Sequence, residues 1–431
     1  ATYTLSNIIS GTGSISKSDS GTLILTGANT YSGGTTIAGG TLSVSADNTL
    51  GASSGIIVLE GGTLATTASF ASARDVSLLF GTGGNDINVA ASTEFALSGD
   101  ISGGFGFAKT GDGTLVLSGD NTFLGYLNIR EGVVNIRSDQ ALGGAFETAV
   151  RDGAALELEG NITTGETVVL FGDGVSSDGA IRNASGANTI SGDLVLNADS
   201  RVNSEAGTLT LAGEINGETG GGSPLNADLA LGGAGNGVVS GTFGSQIIEL
   251  LKDGAGTWTL SGNNLHTGQT TIRAGALRAE SGAALGSAAQ GTLVQNGGAL
   301  ELAGGINIAN ETLALNGTGV SNGGALRNIS GNNTYGGDIS VATEARIHSD
   351  ADRLTLAGAI DATGVIFLGG AGDGTISGAL DTTALLGKYG AGTWTFSGAD
   401  KTVSSFRLFG GELIVDNASV TQNGFQTIVG L

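Results

Sequence analysis

Four segments of this 431-residue chain align without a gap when Lys17, Lys109, Lys252 and Lys388 are superimposed, and this self-similarity restricts the fold more than any other feature. They read "KSDSGTLILTGANTYSGGTTIAGGTLSV", "KTGDGTLVLSGDNTFLGYLNIREGVVNI", "KDGAGTWTLSGNNLHTGQTTIRAGALRA" and "KYGAGTWTFSGADKTVSSFRLFGGELIV". Glycines recur four, ten and twenty-three residues after each lysine: Gly21, Gly27 and Gly40 in the first copy, Gly392, Gly398 and Gly411 in the last. The first three copies also close on Leu-Gly, at Leu50-Gly51, Leu142-Gly143 and Leu285-Gly286. The copies therefore span 17–51, 109–143, 252–286 and 388–415.

Between the glycines the apolar residues alternate. One strand carries Leu23 and Leu25, Leu115 and Leu117, Trp258 and Leu260, Trp394 and Phe396. A second carries Ile37, Ile129, Ile272 and Leu408, and a third Leu42 and Val44, with their counterparts. Period-two patterning over three to five residues, bounded by glycine and asparagine, predicts short strands with one buried side. Ile24, Val116, Thr259 and Thr395 fall on the outward side, and both tryptophans replace a leucine as core residues. Asn29, Asn121 and Asn264 fall at the second corner, with Asp400 in the fourth copy. There an asparagine is expected to bond its own backbone and to accept a left-handed conformation.

Weaker copies fill the intervals. Residues 152–162 parallel 297–306, 176–189 parallel 321–334, and 229–241 parallel 366–378. The offset falls by eight residues after 213–226, which marks a candidate protruding loop around Pro224. A period near 20 residues fits one coil of three short strands and three turns. Such a coil cannot bury its apolar side alone, so coils must stack. The expectation is an all-β, right-handed parallel β-helix of about 20 coils, running unbroken through 1–431.

Composition agrees. Glycine takes 80 of 431 positions and proline one, which excludes collagen and long helices. A hydrophobic content of 39% excludes a solvated disordered tail. The formal charge of −22, with no basic cluster, disfavours nucleic acid and anionic membrane surfaces. There is no cysteine for a disulfide or thiolate site, and no apolar run long enough to span a membrane.

The phrase "GTLILTGANTYSGGTTIAGGTLSV" with Leu50-Gly51 resembles the autotransporter-associated β-strand repeat, also called the passenger-associated transport repeat. "GAGTWTLSGNNLHTGQTTIRAGAL" and "GDGTLVLSGDNTF" resemble it too, whereas the fourth copy departs at "GADKTVSS". The resemblance implies the passenger of a Gram-negative type V secreted protein, displayed on the cell surface or released. It also implies a C-terminal β-barrel translocator in the precursor, and the closing residues "DNASVTQNGFQTIVGL" read as another coil and not as that barrel.

Candidate chemistry is sparse. His266 takes the place of Tyr31 and Phe123 in the other copies and reads as a turn residue. His348 lies near Asp350, Asp352 and Arg353, the one sequence neighbourhood where acid–base work is conceivable. "GGAGNG" (232–237) and "GGAGDG" (369–374) superficially resemble a calcium-binding repeat but read as corners. Asp112, Asp173, Asp178 and Asp253 stand beside turn glycines, where weak calcium binding competes with plain solvation. No catalytic residue, cofactor or metal site is therefore expected. The expected role is a non-enzymatic adhesin or self-association module whose partner is a host-cell surface, matrix or another copy of itself. The alternatives are a released effector binding a host receptor near 213–226 and, third, a β-helix polysaccharide lyase or hydrolase.

Overall fold

A computed structural model describes residues 1–144, 146–217 and 226–422. Most of the expected loop at 213–226 lies outside the described residues. The chain is a parallel β-solenoid of about 20 turns. Among the described residues the only helical pieces are the single 3-10 turns Asp47–Leu50, Val175–Ser177 and Val320–Asn322. The coils fall into two compact units, Ala1–Gly213 and Glu214–Leu431.

In the first unit one sheet stacks Thr2–Leu5, Thr22–Leu25, Thr41–Val44, Thr63–Thr66, Asp86–Val89 and Phe107–Thr110, and continues to Leu194–Leu196. A second sheet stacks Ile15–Lys17, Thr35–Ile37, Ile57–Leu59, Val76–Leu78 and Ile101–Gly103. A third opens with Phe70–Ser72, Glu94–Leu97, Thr114–Leu117 and Gly132–Ile136. The second unit repeats the scheme, for example Thr257–Leu260 on Gly275–Ala279 on Gly298–Ala303. Leu25, Ile37, Leu42, Leu59, Leu117, Ile129 and Ile136 are among the buried aliphatics, each worth roughly 1.5–3 kcal/mol on transfer from water.

Coil closure differs from the expectation of three strands per repeat. Leu23 pairs with Leu42 and Leu25 with Val44, so the first and third strands of the repeat lie on one sheet in successive coils. The same holds for Leu115 on Val134, Trp258 on Leu277 and Trp394 on Leu413. A repeat is thus one coil of two named strands plus the first strand of the next. Its remaining side, 26–34, carries no strand but still bonds coil to coil: Thr30 N–H donates to Ile9 O at 2.8 Å and Ser32 N–H to Gly11 O at 3.0 Å. Val116, expected outside, is 2% exposed, because outward side chains lie against their neighbours at one coil's spacing, here Ala96 and Asn135.

The corner asparagines also differ from expectation. None of Asn29, Asn121 and Asn264 has a positive φ, and none bonds its own backbone. Asn121 Oδ1 accepts from Ile101 N–H at 2.7 Å in the preceding coil, and its Nδ2 donates to Ala141 O at 2.6 Å in the following one. Asn29 and Asn264 make the same bridge. A buried corner leaves peptide groups that must find partners, and the amide supplies a donor and an acceptor at once.

The lysines that anchor the alignment are buried. Lys252 Nζ donates to Asp253 O at 2.6 Å, Gly254 O at 2.9 Å and Ala274 O at 2.9 Å, gathering carbonyls of two coils. Lys17, Lys109 and Lys388 do likewise. This explains the glycine twenty-three residues on: Gly40, Gly275 and Gly411 have φ of 62°, 64° and 70°. A Cβ there would come within 2.6–2.8 Å of the lysine ammonium.

Candidate interaction surface

The histidines belong to the scaffold. His266 is fully buried, its Nε2 is 2.9 Å from Thr270 Oγ1, and its ring meets Phe243 edge-on at 5.6 Å. Tyr31 does the same in its own copy, its hydroxyl 2.7 Å from Thr35 Oγ1. Each Leu-Gly close presents its glycine to this ring: a Cβ on Gly51, Gly143 or Gly286 would meet Tyr31, Phe123 or His266 ring atoms at 2.6–2.9 Å. Burial drives the His266 pKa down to about 4, so the ring is neutral near pH 7.

His348 is 8% exposed and its Nε2 bonds the Tyr389 hydroxyl. Burial, opposed by Asp350 and aided by Arg327 and Arg346, lowers its pKa to about 4. Of its sequence neighbours, Asp350 is engaged by Arg327, with Nη2 at 2.5 Å. Asp352 accepts from Gly331 N–H at 2.7 Å, and Arg353 is exposed. The structure thus brings only Asp350 near His348, at 4.0 Å from Nδ1.

The two glycine-rich phrases are tryptophan cradles. Gly237 pairs in register with Trp258 and Gly374 with Trp394, and a Cβ on either glycine would run into the indole. Trp258 Nε1 donates to Gly232 O at 3.0 Å, and Trp394 Nε1 to Gly369 O at 3.4 Å. Asn236 and Asp373 accept from Thr257 and Thr393 N–H in the next coil, at 3.1 and 3.0 Å. Asp112, Asp173 and Asp178 are exposed at their corners, and Asp253 is half-buried. Among the described residues no three His, Asp or Glu side chains group in a way that could hold a metal ion. No helix among them is long and apolar enough to cross a membrane.

Two surface features are not apparent from the sequence. The first is a ladder of polar and ion-paired rungs. Arg278, Glu301, Arg327 and His348 stack in register on successive coils. Arg278 Nη2 lies 2.8 Å from Glu301 Oε2, and Arg327 Nη1 lies 3.0 Å from Glu301 Oε1. In the first unit Asn135, Glu157, Arg182 and Asn203 take the matching rungs, with Asn135 Nδ2 donating to Glu157 at 2.7 Å. Coil lengths here vary, so the rungs share no fixed spacing that the sequence alone could reveal.

The second is a stripe of exposed aromatic residues in the first unit. Phe80 and Phe105 pair at 5.6 Å and Tyr126 and Phe146 at 6.0 Å, all four exposed. Tyr126 occupies the position held by Gly34, Gln269 and Ser405 in the other copies, so the ring is an addition to what the coil requires. Only this contrast between copies could have signalled it.

Comparison with known proteins agrees with these repeats. A family model described as Passenger-associated-transport-repeat matches residues 15–44, 107–136 and 250–279. The fourth copy, which keeps its tryptophan cradle but lacks the corner asparagine, is outside these matches. The chain is also 41% identical over 143 residues to a protein of Brucella suis biovar 1 (strain 1330) named Adhesin BmaC autotransporter. That alignment covers 33% of this chain and 4% of the relative. No solved structure matches.

Proposed function

We propose that this chain, an autotransporter passenger segment destined for the cell surface or the exterior, is a non-enzymatic adhesive module that binds through the lateral surface of its coils. The identity to an autotransporter adhesin over 143 residues carries the reading. The surface chemistry supports it: outward side chains form long stacked rows, suited to many small contacts that sum to useful avidity. The buried, neutral histidines support binding over catalysis, since each is already engaged within the fold. The autotransporter relation implies a translocator in the precursor, and the adhesive partner is a host-cell surface, matrix or a second copy.

The test is adhesion by the purified chain. Coated on beads, it should bind cultured epithelial cells or immobilised matrix above the level of an unrelated β-solenoid, or cluster the beads by self-association. Beads that neither bind nor cluster would dismiss the reading. Incubation with a polyuronate panel should release no product, and any release would favour the enzyme alternative.

A further inference from the structure

The aromatic stripe of the first unit runs over four successive coils. Phe80 is 68% exposed, Phe105 42%, Tyr126 59% and Phe146 75%, far beyond what isolated surface rings require. Three of these rings, Phe105, Tyr126 and Phe146, line a shallow groove together with Gly104, Gly106 and Gly125. Its polar lining includes Asp86, Asn128 and Arg130. Four coils at the ~4.8 Å strand spacing give a track of about 15 Å, room for several sugar rings end to end.

We propose that this groove binds an uncharged oligosaccharide, with pyranose rings lying against Phe105, Tyr126 and Phe146 and hydroxyls meeting Asp86, Asn128 and Arg130. Three observations favour this occupant. Aromatic faces attract the weakly positive C–H face of a sugar, and the edge offers acceptor, amide and donor together, as hydroxyls need. Asp86 and Arg130 cancel within the groove, while the chain's −22 repels acidic glycans and a second copy. A protein partner would call for a closed, dry patch centre, whereas Phe105, Tyr126 and Phe146 share an open groove with Gly104, Gly106 and Gly125 and with Asp86, Asn128 and Arg130. The proposal deepens the adhesive reading and rests on it for its setting.

The test titrates the chain with neutral hexasaccharides of β-1,4-glucose, β-1,3-glucose and β-1,4-N-acetylglucosamine, by calorimetry and saturation-transfer NMR, at low and high salt. At least one should bind with little salt dependence. Tyr126→Ser combined with Phe146→Ser should weaken it at least about tenfold while leaving the thermal melt unchanged. Leu265→Ser, an exposed residue of the other unit, should leave binding intact. The proposal is overturned if no probe binds, if the double variant binds as before, or if Leu265→Ser weakens binding equally. A concentration-dependent dimer abolished by the double variant, with no probe bound, would assign the stripe to a second copy instead. A chain that adheres to cells yet takes no probe sinks the groove and spares the adhesive reading. A chain that takes a probe but does not adhere does the reverse.

Discussion

Gly237 and Gly374 each lie one coil from an indole, in register beneath it. Gly237→Ala should cost about 1–3 kcal/mol by overpacking, read from urea unfolding followed by circular dichroism. Gly13→Ala, where an added Cβ meets nothing within 4 Å, should be close to neutral. His266 offers a pH test. Its folded pKa of about 4 lies below the ordinary 6.5, so between those values the unfolded chain takes up a proton that the folded one refuses. Stability therefore falls as pH drops through that window, by roughly 3 kcal/mol once pH reaches about 4. Glu311, raised by burial to about 7 from 4.5, acts oppositely: the folded chain holds its proton first and gains stability as pH falls from 7 to 4.5. His266→Phe, which installs the ring that Phe123 carries in the second copy, should make the acid limb of stability against pH shallower, leaving the part that His348, also lowered to about 4, contributes, and an unchanged limb would refute the assignment.

At the scale of the coil, the corner asparagine is the clearest tie between turns. Asn121→Ala would orphan the Ile101 amide and the Ala141 carbonyl, both buried. The expected loss is about 2–4 kcal/mol, with faster hydrogen exchange at the Ile101 amide. The short strands, their buried faces and the stacking were legible in the repeats, because identical residues every coil mean identical surroundings. Coil closure was not. Leu42 looks like a third strand until its pairing with Leu23 is known, and spacing alone does not say after how many residues a coil returns to its start. The corner chemistry is hidden from the sequence for a related reason. An asparagine in a turn ordinarily serves its own backbone, and only a neighbour stacked above and below turns it into a bridge. The charged ladder and the aromatic stripe were invisible because their members sit 20 to 26 residues apart in coils of unequal length, such as Arg278, Glu301 and Arg327.

For the whole molecule, the formal charge of −22 sets how copies meet. Like-charged partners repel over a Debye length of about 10 Å at 0.1 M salt, and that length shrinks as salt is added. Any self-association should therefore strengthen from low to about 0.5 M sodium chloride, measured by sedimentation velocity. Calcium at matched ionic strength should add nothing unless the corner carboxylates bind it. Weakening with salt would point to specific opposite-charge contacts between copies.

The indole cradles have one more consequence. Trp258 and Trp394 both belong to the unit Glu214–Leu431, and the sequence holds no other tryptophan. Intrinsic emission excited near 295 nm is thus a private signal of that half, whereas the backbone's ultraviolet dichroism sums over both. We propose that the solenoid runs unbroken through the chain, in which case the two signals should trace one denaturation curve. Curves that separate would reveal two halves able to melt on their own.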